Sequence, residues 1–170
     1  MDKKRNMSPS KVALYGVLIA LAMILSYVET LIPISLGIPG VKPGLANLVV
    51  IVAMYVLTPR DAFFISMIRI VLVGFTFGNM SAMMYSFAGG LLSFAVMFIC
   101  KKKNIFGVTG VSICGGVSHN IGQLLIAALV VENGAVFFYL PVLLLAGSLT
   151  GALIGLLGGM AVKRLPRDSW

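Results

Sequence analysis

The sequence predicts an all-α integral membrane protein with six transmembrane helices and both termini in the cytoplasm. Three observations predict it. The 170 residues are 59% hydrophobic and 11% charged, with mean hydropathy +1.05, a balance that soluble domains do not have. A spanning helix needs about 20 apolar residues, so this length allows roughly six spans and no soluble catalytic domain. The basic residues fall in short clusters between apolar runs, as in cytoplasmic loops.

The first span covers about residues 11–32, and Ser8-Pro9 supplies its cap and first helical position. Lys3-Lys4-Arg5 precedes it as in a signal peptide. The apolar run is too long for one and lacks a small-residue cleavage site, so it reads as a retained span. Pro33 and Gly37-Ile38-Pro39-Gly40 form a loop, and the second span covers about 43–57. Thr58-Pro59-Arg60-Asp61 is a capping-box start for the third, which runs to about 77. Gly78-Asn79-Met80-Ser81 breaks the chain before the fourth, which stops near residue 100 at Lys101-Lys102-Lys103. The fifth covers about 105–131. Glu132-Asn133-Gly134 then turns into the sixth, which ends near 162. Residues 1–10 and 164–170 are thus cytoplasmic segments flanking a membrane domain of residues 11–163.

With the N-terminus inside, eleven of the thirteen basic residues face the cytoplasm. Lys42 alone falls outside, and Arg69 lies within the membrane. This distribution excludes a nucleic-acid surface and leaves lipid head groups as the ordinary partner of the charges. Cys100 and Cys114 have neither CxxC nor metal-ligand spacing, so free thiols are expected, with no metal and no cofactor.

Two kinds of residue stand out in the spans. Gly147, Gly151, Gly155 and Gly159 recur every fourth position in the sixth, a flat ridge for close helix approach. The fifth has a similar row in Gly110, Cys114, Ser118 and Gly122, and the first has Gly16 with Ala20 and Ala22 with Ser26. These rows serve packing inside one chain or docking to another subunit.

The other kind is polar. Arg69 sits in an apolar helix, where a cation costs on the order of 2.5–3.5 kcal/mol and normally faces an interior or a cavity. His119 and Gln123 share a helix face, and Asn120 points about 100° away. Asn47 lies near the outer end of the second span, and Glu29, near the outer end of the first, is a candidate partner for Arg69. Such groups either knit the bundle together or contact a ligand; Lys42, Asn47, Arg69, Asn79, His119, Asn120 and Gln123 are the binding candidates. Helices two, four and six start at the outer face. Their N-termini, with Lys42, favour an anionic or hydrogen-bond-accepting ligand.

Four segments in order carry a resemblance: Lys42-Pro43-Gly44-Leu45-Ala46-Asn47-Leu48, Thr58-Pro59-Arg60-Asp61-Ala62-Phe63, Gly89-Gly90-Leu91-Leu92-Ser93 and Ser118-His119-Asn120-Ile121-Gly122-Gln123. Together they resemble the Gx transporter family, also labelled heptaprenyl diphosphate synthase component I. That family is similar to the substrate-binding S-components of energy-coupling-factor (ECF) transporters. The resemblance implies an S-component-like bundle that binds a small molecule in its outer half, under the loop of residues 33–42. Its implied partners are a transmembrane coupling subunit and two ATPases. S-components often dock through AxxxA on the first helix; Gly16 and Ala20 are the nearest equivalent here.

The synthase label implies different chemistry. Prenyl diphosphate synthases hold magnesium with aspartate-rich motifs, whereas Asp2, Asp61 and Asp168 are far apart. No Walker A motif is present either, so any ATP hydrolysis belongs to a partner. The expected function is therefore a non-enzymatic transport subunit. The alternative is a membrane accessory subunit for polyprenyl diphosphate or quinone synthesis. The orientation is testable: with Cys100 and Cys114 replaced, Ser35→Cys should label in intact cells. Labelling only after permeabilisation would reverse the topology.

Overall fold

The computed structural model describes residues 9–31 and 44–165. Six α-helices form: α1 (Pro9–Leu31), α2 (Asn47–Val56), α3 (Pro59–Thr76), α4 (Met80–Lys102), α5 (Val108–Val131) and α6 (Leu140–Arg164). A 3-10 turn at Gly134–Tyr139 joins the last two, and no strand occurs among the described residues. The chain is a multi-pass membrane protein. By length and composition α1, α4, α5 and α6 are able to cross a bilayer, the last together with the 3-10 turn before it.

The two remaining helices fall short of that length and composition. α3 has 18 residues, but Arg60, Asp61 and Arg69 interrupt its apolar character. α2 has ten residues and so rises only about 15 Å, half of a hydrocarbon core of about 30 Å. The expected start at residue 43 is also corrected for the described chain. Gly44 has φ +86°, a conformation suited to glycine. The Asn47 N–H donates to the Gly44 carbonyl at 2.8 Å, so a turn occupies the residues before Asn47.

Local chemistry fixes the α3 start as its sequence predicts. The Asp61 N–H donates to the Thr58 hydroxyl at 3.3 Å, and the Thr58 N–H donates to the Asp61 carboxylate at 3.4 Å. The α4 start is capped by Asn79, whose side-chain oxygen accepts from the Ala82 N–H at 2.8 Å.

α2 sits in the centre. Val49, Val50, Ile51, Val52, Ala53 and Met54 are all buried, as expected of a helix apolar on every side. It packs on α1, α3 and α6. α5 is sandwiched between α4 and α6, and α3 closes the ring against α4 and α1. The outer faces are apolar: Leu145, Leu149, Leu153 and Leu156 stand exposed along α6, and Val17, Leu21, Ile24 and Val28 along α1.

The α6 glycines face α5 within the chain. A Cβ built on Gly147 would lie 2.8 Å from the Gly116 carbonyl oxygen, one on Gly151 2.7 Å from the Ile113 Cα, and one on Gly155 2.6 Å from the Thr109 Cα. Packing thus consumes these three. Gly159 meets only Val108, at 3.9 Å. The α5 side of this seam is Thr109, Ile113 and Gly116. Gly122 instead meets α4, where a Cβ would lie 2.7 Å from the Ala88 carbonyl oxygen. Gly16 and Ala20 are exposed on α1, and nothing lies within 4 Å of a Cβ at Gly16.

Gly151→Val should therefore lower the melting temperature of the solubilised protein, by about 1–3 kcal/mol of stability for overpacking. Gly16→Val should leave it unchanged. Equal melting temperatures for the two variants would contradict the seam.

Candidate functional site

Polar residues from five helices converge beside the N-terminus of α2. The cleft is lined by Ser26 and Glu29 of α1, Gly44 and Asn47 at the α2 start, Arg69 of α3, Ser86 of α4, and His119 with Gln123 of α5. It has about 40 Å³ of free space, room for a few waters at about 10–15 Å³ each.

Glu29 is 6% exposed, and one of its oxygens accepts from the Gly44 N–H and, at 3.3 Å, from the Leu45 N–H. These N–H groups lie at the positive end of the α2 dipole, where a carboxylate is stabilising. Arg69 is 7% exposed and donates through Nη2 to Asn47 Oδ1 at 3.5 Å, a long bond. Glu29 also acts on Arg69 electrostatically, so the expected pairing is present as a charge interaction, while the described hydrogen bond goes to Asn47.

His119 and Gln123 project from one face of α5 toward α4, which approaches closely because position 89 is glycine. A Cβ there would lie 2.7 Å from the His119 carbonyl oxygen and 2.9 Å from the Gln123 Cγ. Four buried side-chain atoms on the cleft have no hydrogen-bond partner among the described residues: Ser26 Oγ, Arg69 Nε, His119 Nδ1 and Gln123 Oε1. Native interiors rarely leave such groups unpaired, and these four gather in one cleft.

The structure thus brings together Asn47, Arg69, His119 and Gln123. It separates two other candidates. Asn120 donates to the Leu143 carbonyl at 2.7 Å and ties α5 to α6. Asn79 is exposed and serves as the α4 cap. Lys42 lies outside the described residues. Sequence reasoning left Ser86 and the Gly44 and Leu45 N–H groups out of the site. A serine gives little signal in an apolar helix, and the backbone groups become visible only with the turn at Gly44.

At the other end of α2, Lys101 of α4 donates to the Met54 carbonyl and lies 4.6 Å from the centre of the Tyr55 ring. Nearby in the sequence of helix starts, Lys11 of α1 pairs with Asp61 of α3 at 3.2 Å. Cys100 and Cys114 are free thiols, as expected. No cluster of metal-ligating side chains occurs among the described residues.

Apolar outer faces around a buried, charge-bearing cleft define a helical membrane protein with an internal polar site. Comparison narrows the class: the family model for heptaprenyl diphosphate synthase component I matches residues 18–161, and the chain belongs to that family. No curated protein and no solved structure matches it. The matched region contains all four sequence segments noted above.

Arg69→Met keeps bulk but removes the charge and five donors. Losing charge-assisted bonds worth about 1.5–3 kcal/mol should cut retention of a co-purifying small molecule roughly ten-fold or more, with little change in melting temperature. Native mass spectrometry beside a melting curve checks both. A large fall in stability with retention intact would make Arg69 structural.

Proposed function

We propose that the chain is a non-catalytic membrane subunit serving polyprenyl diphosphate synthesis beside a separate catalytic partner. The family match over most of the chain carries this reading. The state of the carboxylates supports it. Asp61, the one Asp among the described residues, caps α3 and pairs with Lys11. Glu29 is bonded to the start of α2. Magnesium-dependent diphosphate chemistry needs clustered oxygen ligands, and these two carboxylates are already engaged in holding helices.

The cleft favours a second reading, an S-component-like subunit that binds a small molecule for transport driven by partner ATPases. A scaffold has no need of four unpaired buried atoms on Ser26, Arg69, His119 and Gln123, whereas a ligand site does. In this reading the exposed Gly16–Ala20 face of α1 is the docking surface for a coupling subunit, and both termini are cytoplasmic.

Two measurements separate these readings. The purified chain, given magnesium and an allylic diphosphate, should form no prenyl product; turnover abolished by Asp61→Asn would make it an enzyme. Gentle purification from native membranes should capture a soluble prenyl synthase subunit. Capture of ATPases with a membrane coupling protein, lost in Gly16→Val, would establish the transport reading instead.

A further inference from the structure

Two independent features meet in the cleft. One is the group of unpartnered atoms on Ser26, Arg69, His119 and Gln123, each residue at most 7% exposed. The other is the turn that leads into α2, whose Gly44 and Leu45 N–H groups converge on a single carboxylate oxygen. Backbone donors at a helix start, with a guanidinium beside them, are the elements of an anion site. Here the anion is a side chain of the protein itself.

We propose that the cleft binds a small monocarboxylic acid and that Glu29 is a built-in competitor for the position of the ligand's carboxylate. The inference rests on the reading that the cleft takes a ligand, and it adds the chemical class. Charge selects that class. With Glu29 in place, the carboxylate and Arg69 balance. With Glu29 turned aside, one guanidinium and two N–H groups face the site, which suits a single negative charge spread over two oxygens. A diphosphate carries several charges, and among the described residues Arg69 is the one cation lining the cleft.

Size points the same way. The free space beside Glu29 is about 40 Å³, room for a few waters, so moving the Glu29 side chain aside enlarges a site that suits a small organic acid. Glu29 lies in the last turn of α1. Ser26, His119 and Gln123 remain to bond a hydroxyl or amide on the ligand, so a hydroxy acid fits better than a plain fatty acid.

The test uses the full chain in lipid nanodiscs, with lactate, glycolate and 3-hydroxybutyrate as probes against their neutral amides and inorganic phosphate. At least one acid should raise the melting temperature where its amide does not. Glu29→Gln removes the competing charge and should tighten acid binding roughly ten-fold, within the range of ordinary coupling between sites. Arg69→Met should abolish it. If Glu29→Gln fails to fold, Glu29→Asp keeps the charge but shortens the reach, and should tighten binding to a smaller degree. Unchanged or weaker acid binding in the folded Glu29 variant overturns the proposal, as does preference for phosphate. Amides binding as well as acids would leave a ligand site of a different class. No response to any probe in any variant would remove the cleft as a ligand site, a result separate from the partner-capture experiment.

Discussion

The bundle depends on how its shortest helix is held. α2 has ten residues, too few to be stable in isolation, and its ends lie inside the protein. Buried helix ends need partners for their free N–H and C=O groups. The first N–H groups of α2 donate to the Gly44, Leu45 and Ala46 carbonyls, Glu29 of α1 holds that turn by accepting from the Gly44 and Leu45 N–H groups, and Lys101 of α4 meets the Met54 carbonyl near the C-terminus. Each charge has the sign that the helix dipole favours at that end. With its ends satisfied by neighbours, α2 can be apolar all round and form the centre on which α1, α3 and α6 pack. The cleft follows from the same arrangement, because a helix that begins partway through the bundle leaves space above its first turn.

How much of this was legible depended on whether the cause was local. The α3 start was readable because Thr58, Pro59 and Asp61 act within one turn. The α2 boundaries were not. Hydropathy marks the residues from 43 to 57 as apolar, but the turn at Gly44 depends on a left-handed backbone and on Glu29, 15 residues away. The glycine ridge of α6 was readable as a close-packing face. Its counterpart on α5 was not, since α5 has small residues on two sides, and only the helix's rotation decides that Gly116 meets α6 while Gly122 meets α4.

The site was legible as a set of residues and not as a place. Polar side chains are conspicuous in apolar helices, so Asn47, Arg69, His119 and Gln123 could be picked out singly. His119 and Asn120 are adjacent in sequence, yet one lines the cleft and the other bonds to α6. Lys101 read as one charge in a loop cluster, and its role at the end of α2 appears only when α4 lies beside that helix.

The position of α1 has a mechanical consequence. Its ties to the bundle by charged groups stand near its two ends, Lys11 to Asp61 and Glu29 to the start of α2. Between them it touches the core through Leu18, Ile19, Ala22 and Leu25, contacts that have little directional preference. Such a helix behaves as a bolt held at both ends on a greased surface. Release of the Glu29 end leaves the Lys11 end as a pivot, and the far end of the rod, about 27 Å away along the axis, sweeps the widest arc at the mouth of the cleft.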